Sequence, residues 1–161
     1  GNSRDSRYPS LAGQGDAYLE RQLHAFAAQG GQRVSGVMGA IAVNLTAEQM
    51  KRVSDYFSRQ RLRPVPRVEA PLARRGETIY FEGVPSRGVA SCATCHGVRG
   101  EGMPALFPRV AGQHLTYLAA QLRHFRDGRR TSDPDAMMRK VAGPLSDCEI
   151  DAVSQYLALQ P

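Results

Sequence analysis

Residues Cys92–His96 read Cys-Ala-Thr-Cys-His, "CATCH", in a chain of 161 residues. Two cysteines three positions apart and a histidine directly after them form a C-x-x-C-H run. The spacing has a chemical consequence. Thiols on one turn of chain can add to the two vinyl groups along one edge of a porphyrin. The next residue then lies under the ring centre, where an imidazole can bind iron. This is the attachment signature of c-type haem, with Cys92 and Cys95 as the covalent anchors and His96 as an axial ligand. A bare C-x-x-C would also suit zinc or thiol redox chemistry. Zinc wants a second ligand pair, and Cys148, His114, His124 and His24 offer none at paired spacing. A thioredoxin-like site wants alternating strands and helices, and strand signals are weak throughout.

Downstream of the motif, "FPRVAGQHLTYLAAQLRHF" (107–125) nearly repeats "YPSLAGQGDAYLERQLHAF" (8–26). From Gly1 to Phe26, adding 99 gives the matching residue, so Pro9 pairs with Pro108 and Ala12-Gly13-Gln14 with Ala111-Gly112-Gln113. After one inserted residue the offset is 100, which pairs Met38 with Met138, Leu45 with Leu145 and Tyr56 with Tyr156. A repeat of this length implies two domains of one fold related by duplication. "QRLRPVPRVEAP" (60–71), with its prolines and arginines, reads as a linker, and the boundary falls at 67/68. Gly1 pairs with Gly100, four residues past His96, so a first C-x-x-C-H would stand just before Gly1. The first domain (1–67) is therefore expected to be truncated at its N-terminus and the second (68–161) to be complete.

The elements are helical. Tyr117, Leu118, Gln121, Leu122 and Phe125 recur on one helix face, as do Tyr18 to Phe26. Another helix is expected near Leu72–Phe81, with Gly76 one turn before Tyr80, where a second helix can approach closely. Ser146-x-x-Glu149 and Thr46-x-x-Gln49 are capping boxes that open the last helix of each half.

The second axial ligand must come from downstream of His96. Met138 stands seven residues before Leu145, as Met38 stands seven before Leu45, so Met138 is the matching residue of the adjacent pair Met137–Met138. A thioether is a neutral soft ligand, and Met/His ligation raises the reduction potential of haem iron. Met103 and Met137 read as core filler. His24 aligns with Arg123 and His124 with Ala25, so the repeat preserves neither as a ligand; His114 reads as a surface or capping residue at a helix start. Cys148 aligns with Glu48, which marks it as an incidental thiol. Arg123, Arg126, Arg129 and Arg130 read as a solvated helix end.

The net charge is +6, with ten Lys/Arg against six Asp/Glu in residues 1–69 and eleven against nine in 70–161. This is a mild bias. No basic run is interleaved with aromatics, so a nucleic-acid partner is not expected. An acidic redox partner or peripheral contact with an anionic membrane fits the charge. No apolar stretch reaches the roughly 18 residues of a membrane span.

A helix containing "GETIYF" (76–81), C-x-x-C-H, a proline-containing loop, a methionine and a C-terminal helix, in that order, resembles the class I cytochromes c. "FPRVAGQHLTYLAAQLRHFRDGRR" (107–130), Met-Met and "LSDCEIDAVSQYL" (145–157) are similar to the dihaem cytochrome c4 type within that class. The resemblance implies an all-α protein of two tandem class I domains. It implies that Pro108, twelve residues after His96, accepts the imidazole Nδ1–H in its carbonyl, orienting the ring. It implies that Gly76 and Tyr80 meet Tyr156 where the terminal helices cross, and that Arg109 and Gln113 make polar contacts near the haem edge or propionates. Met38, with Pro9 nearby, is then the axial ligand of a second haem. The expected function is single-electron transfer in the bacterial periplasm, between a quinol-oxidising complex or dehydrogenase and a terminal oxidase. No substrate bond is made or broken, and no acid–base pair or nucleophile stands out. The alternative is the haem subunit of a dehydrogenase such as flavocytochrome c.

Overall fold

The computed structural model describes residues 1–28, 32–63 and 70–161. The 67/68 boundary lies outside the described residues. Among those described, the regular elements are helical: α1 (Asp16–Ala27), α2 (Gly36–Ala42), α3 (Ala47–Ser58), α4 (Ala73–Glu82), α5 (Ala93–His96), α6 (Leu115–Arg126), α7 (Met137–Ala142) and α8 (Asp147–Ala158). Among the described residues, extended pairing is limited to isolated bridges.

Both predicted capping boxes form. The Thr46 and Ser146 side chains accept from the backbone N–H of Gln49 and Glu149, whose own side chains reach back to the cap residues. Each satisfies two helix-end donors that would otherwise be unpaired. In the second half α8 crosses α4 and packs on α6. Gly76 is buried at the α4–α8 crossing, and a Cβ there would lie 2.0 Å from the Ala152 carbonyl oxygen. The Tyr80 and Tyr156 rings meet at 5.3 Å between centroids. Around them Ile79, Leu118, Val153 and Leu157 form the core, with Cys92 and Ala93 packed against its edge. The attachment motif thus sits on the core.

The duplication is visible in the backbone. The N–H groups of Leu11 and Ala12 both donate to the Gly1 carbonyl, as those of Val110 and Ala111 donate to that of Gly100. Gly13 N–H donates to Phe57 O at 3.1 Å and Gly112 N–H to Leu157 O at 3.0 Å. The halves differ on the last helix. Tyr156, covered by α4, is 9% exposed, whereas its counterpart Tyr56 on α3 is 58% exposed.

The two halves meet through the repeated residues, in reciprocal fashion. Gln14 Nε2 donates to Arg109 O at 2.8 Å, and Arg109 N–H donates to Gln14 Oε1 at 2.9 Å. Gln113 Nε2 donates to Ser10 O at 3.0 Å, and Ser10 N–H donates to Gln113 Oε1 at 2.9 Å. Arg130 donates to Tyr18 OH, Gln22 Oε1 and Gln121 Oε1, while Arg33 donates to Tyr117 OH, Gln121 Oε1 and Gln22 Oε1. Each guanidinium also stacks over an aromatic ring, Arg33 on Phe26 at 4.5 Å and Arg130 on Phe125 at 4.4 Å. The interface therefore has pseudo-twofold symmetry, each half presenting the same surface.

The α8 N-terminus carries a buried carboxylate, Glu149, paired with the half-exposed Arg87. Glu149 accepts from Arg87, from Ser146 N–H at 2.9 Å and from the Ser146 hydroxyl at 2.8 Å. The Arg87 guanidinium, opposed by burial and aided by Ser146, holds this carboxyl at about 2. A depressed folded-state pKa stabilises the fold fully above the ordinary carboxylate value, and that contribution is lost as pH falls toward about 2. Glu149→Gln is expected to cost about 1–2 kcal/mol at neutral pH, a range that allows for solvent screening of the half-exposed arginine. Denaturant titrations of both proteins check this. The gap should narrow steadily below about pH 4.5; a gap independent of pH contradicts the assignment.

Candidate haem site

Ser91 ends the approach from α4, and the backbone then closes a single helical turn at α5. Cys95 N–H and His96 N–H both donate to the Cys92 carbonyl, at 3.2 and 2.9 Å. The turn brings both thiols onto the same segment, and neither is in a disulfide. Gly97 follows with φ of 82° and ends the turn. His96 is 7% exposed.

His96 Nδ1 lies 2.9 Å from the Pro108 carbonyl oxygen. A carbonyl can only accept, so the ring carries its proton on Nδ1 and donates it there. Nε2 is left with a free lone pair and, among the described residues, no hydrogen-bond partner. Burial pushes the His96 pKa down, against the opposing pull of the Pro108 carbonyl, and so favours the neutral imidazole that a metal requires. The loop carrying Pro108 is held in place by the Gly102 N–H, which donates to His96 O at 2.8 Å. A Cβ at Gly102 would come within 2.6–2.8 Å of the backbone of residues 107–109, so the loop closes only around glycine.

Burial pushes the Cys92 thiol up to about 11, the opposite direction from the lowered thiol of a redox-active C-x-x-C. Among the described residues no three His, Cys, Asp or Glu side chains gather to hold a metal ion. The donor set is two unpaired thiols on one turn and one buried, oriented imidazole with a free Nε2. That set fits a covalently attached haem.

The other residues singled out in the sequence fall as follows. Met138 lies on the first turn of α7, half-buried, and Met38 lies half-buried on α2. Pro9 and Pro108 occupy matching loops before α1 and α6. Arg109 and Gln113 both have their side-chain polar atoms bonded to backbone carbonyls or amides. Both amide atoms of Gln113 bond Ser10, and the Arg109 guanidinium donates to Ala111 O and Pro161 O. His24 is exposed, and His114 Nε2 lies 3.2 Å from Ser3 O at the junction of the halves. Cys148 is exposed, with the Arg75 guanidinium 3.5 Å from its sulfur. Of the arginine cluster, Arg123 and Arg126 pair with Asp147, and Arg129 with Asp127. Arg130 departs from the expected solvated helix end: it is 5% exposed, clamped between the halves. Arg33 and Arg130 do not align under either repeat offset, which is why the repeat did not expose their joint role. The conspicuous signal was instead the pair Tyr-x-x-x-Gln, present in both copies.

A small helical domain with a C-x-x-C-H turn on its core and a carbonyl-anchored histidine defines a c-type cytochrome. The family model for cytochrome c matches residues 73–160, and the chain belongs to that family. Within it, the chain is similar to cytochrome c4. It is 40% identical to cytochrome c4 of Thiocapsa roseopersicina, over 98% of this chain and 81% of the relative. The crystal structure of reduced recombinant cytochrome c4 from Pseudomonas stutzeri superposes with a TM-score of 0.94 at 35% identity, covering 100% of this chain and 89% of the other. A thiosulfate dehydrogenase electron acceptor from Thiomonas intermedia is 36% identical over 96% of this chain and 71% of its own length. The protein is thus an electron-transfer cytochrome with covalently bound haem c, and not an enzyme.

Proposed function

We propose that this protein carries single electrons between respiratory partners in the periplasm, through haem c held by Cys92 and Cys95 and ligated by His96 and Met138. The observation that carries this reading is the buried His96 ring, fixed by the Pro108 carbonyl so that Nε2 is unprotonated and free. Haem iron, when bound, supplies reversible one-electron chemistry. Cys92 and Cys95 would anchor it, the Pro108 carbonyl would orient the His96 imidazole toward it, and the apolar core against which Cys92 and Ala93 pack would shield it.

In the first half Met38 and Pro9 stand where Met138 and Pro108 stand in the second, which supports a second haem there. The reciprocal interface would then hold two haem-bearing domains in fixed relation, as an internal relay needs.

Met138→Ala tests the ligand assignment. The far-red charge-transfer band of methionine-ligated Fe(III) haem should be lost from the second half. The potential of that haem should fall by on the order of 0.1–0.3 V, within the ~0.8 V span that axial ligands set. An unchanged spectrum and potential contradict it.

A second reading is an electron acceptor dedicated to one dehydrogenase. The similarity to proteins named thiosulfate dehydrogenase electron acceptor favours it. Both readings share the site and differ in the donor. Stopped-flow reduction by a quinol-oxidising complex and by a purified dehydrogenase separates them.

A further inference from the structure

The entry to α7, directly before Met138, is unusual. Asp135 and Ala136 both have positive φ, 54° and 55°, although neither is glycine. Such a backbone conformation persists in non-glycine residues where the surroundings enforce it. Ala136 is the N-cap of α7 and has no side chain that could accept a bond from the first helical turn. The task falls to Asp133, three residues upstream. Its Oδ2 accepts from the Arg139 backbone N–H at 2.9 Å, and its Oδ1 accepts from Arg139 Nε at 2.9 Å. The Asp133 side chain is 3% exposed. One buried carboxylate thus ties both ends of the 133–139 segment, and Met138 is the residue directly before the tied one.

The first half solves the same problem differently. Ser35 is itself the N-cap of α2, with ordinary extended backbone, and its hydroxyl accepts from Met38 N–H at 3.2 Å. The neutral local cap of one half is replaced in the other by a buried charge-assisted bracket, which is the stronger kind of hydrogen bond.

We propose that Asp133 is the positioning residue for the Met138 thioether: its grip on Arg139 holds the strained turn closed and so keeps the sixth coordination position filled. This rests on the reading of Met138 as axial ligand. Without the bracket, the two left-handed residues can relax, and the fraction of molecules with Met138 in place falls. An external ligand competes against that fraction, so its apparent affinity rises in proportion.

The experiment uses the full holoprotein in the ferric state and imidazole as the competing ligand. Asp133→Ala should bind imidazole at the second-half haem about 10–100-fold more tightly than wild type and lose far-red band intensity. Asp133→Asn keeps an acceptor for the Arg139 N–H without the charge and should fall between the two. Glu149→Gln, which breaks the Glu149–Arg87 ion pair at the start of α8, controls for general loss of stability and should leave imidazole affinity unchanged. If Met138→Ala leaves the far-red band intact, the ligand reading fails. If Met138→Ala removes the band while Asp133→Ala and Asp133→Asn keep wild-type band and imidazole affinity, the ligand reading stands and the positioning role is overturned. It is equally overturned if Glu149→Gln raises imidazole affinity as much as Asp133→Ala does.

Discussion

Gly76→Ala is expected to destabilise the second half by about 3–5 kcal/mol, at the high end of single substitutions. The added methyl would sit 2.0 Å from the Ala152 carbonyl oxygen, 2.5 Å from its carbon and 2.9 Å from the Tyr156 Cβ. The first two are backbone atoms of a helix, so no rotamer change relieves the clash. α4 and α8 must separate, which loosens the contact of Tyr80 with Tyr156 and of Ile79 with the rest of the core. The Tyr80 hydroxyl donates to the Gly97 carbonyl, directly after His96, so the disturbance reaches the attachment turn. For a domain of this size the loss corresponds to a fall in melting temperature of about 15 °C or more. Thermal unfolding followed by circular dichroism checks it. Thr78→Ala, on the exposed face of the same helix, should change little. A Gly76→Ala melting temperature within a few degrees of wild type would show that the crossing is looser than described.

Cys92→Ser combined with Cys95→Ser is expected to remove one covalently bound haem from each chain. The two thiols on the α5 turn are the anchors, and among the described residues the remaining cysteine, Cys148, is exposed on α8. Intact mass should drop by one haem, and the haem of the second half should become extractable into acidified organic solvent. The variant should also be less stable, because Cys92 and Ala93 pack against a core of few large residues and a small domain has little apolar area to spare. Single cysteine variants should keep one thioether bond and fall between. A double variant with unaltered mass would place the attachment elsewhere.

Much of this architecture was legible in sequence because it depends on neighbours in the chain. The C-x-x-C-H spacing, the capping boxes at Thr46 and Ser146, the helix periodicity from Tyr117 to Phe125 and the glycine before Tyr80 all report local geometry. The roles of Gln14 and Gln113 were not legible. A glutamine in a repeated Ala-Gly-Gln can serve its own domain or face outward, and only the docking of the halves shows that each binds the backbone of the other. Asp133 was equally silent, since a carboxylate six residues before its partner matches no capping pattern.

By itself the amino-acid sequence determined the cofactor chemistry, the helical class and the duplication, because each rests on spacing along one turn or on repetition at a constant offset. The tertiary structure decided which face of each copied helix is covered. It also decided that Arg33 and Arg130, unrelated by the repeat, close one interface, and that the Gln113 amide and the Arg109 backbone bond the other half there. The physical reason is range: a cap or a thiol pair is set within one helical turn, whereas a guanidinium finds its partners only after distant segments have packed.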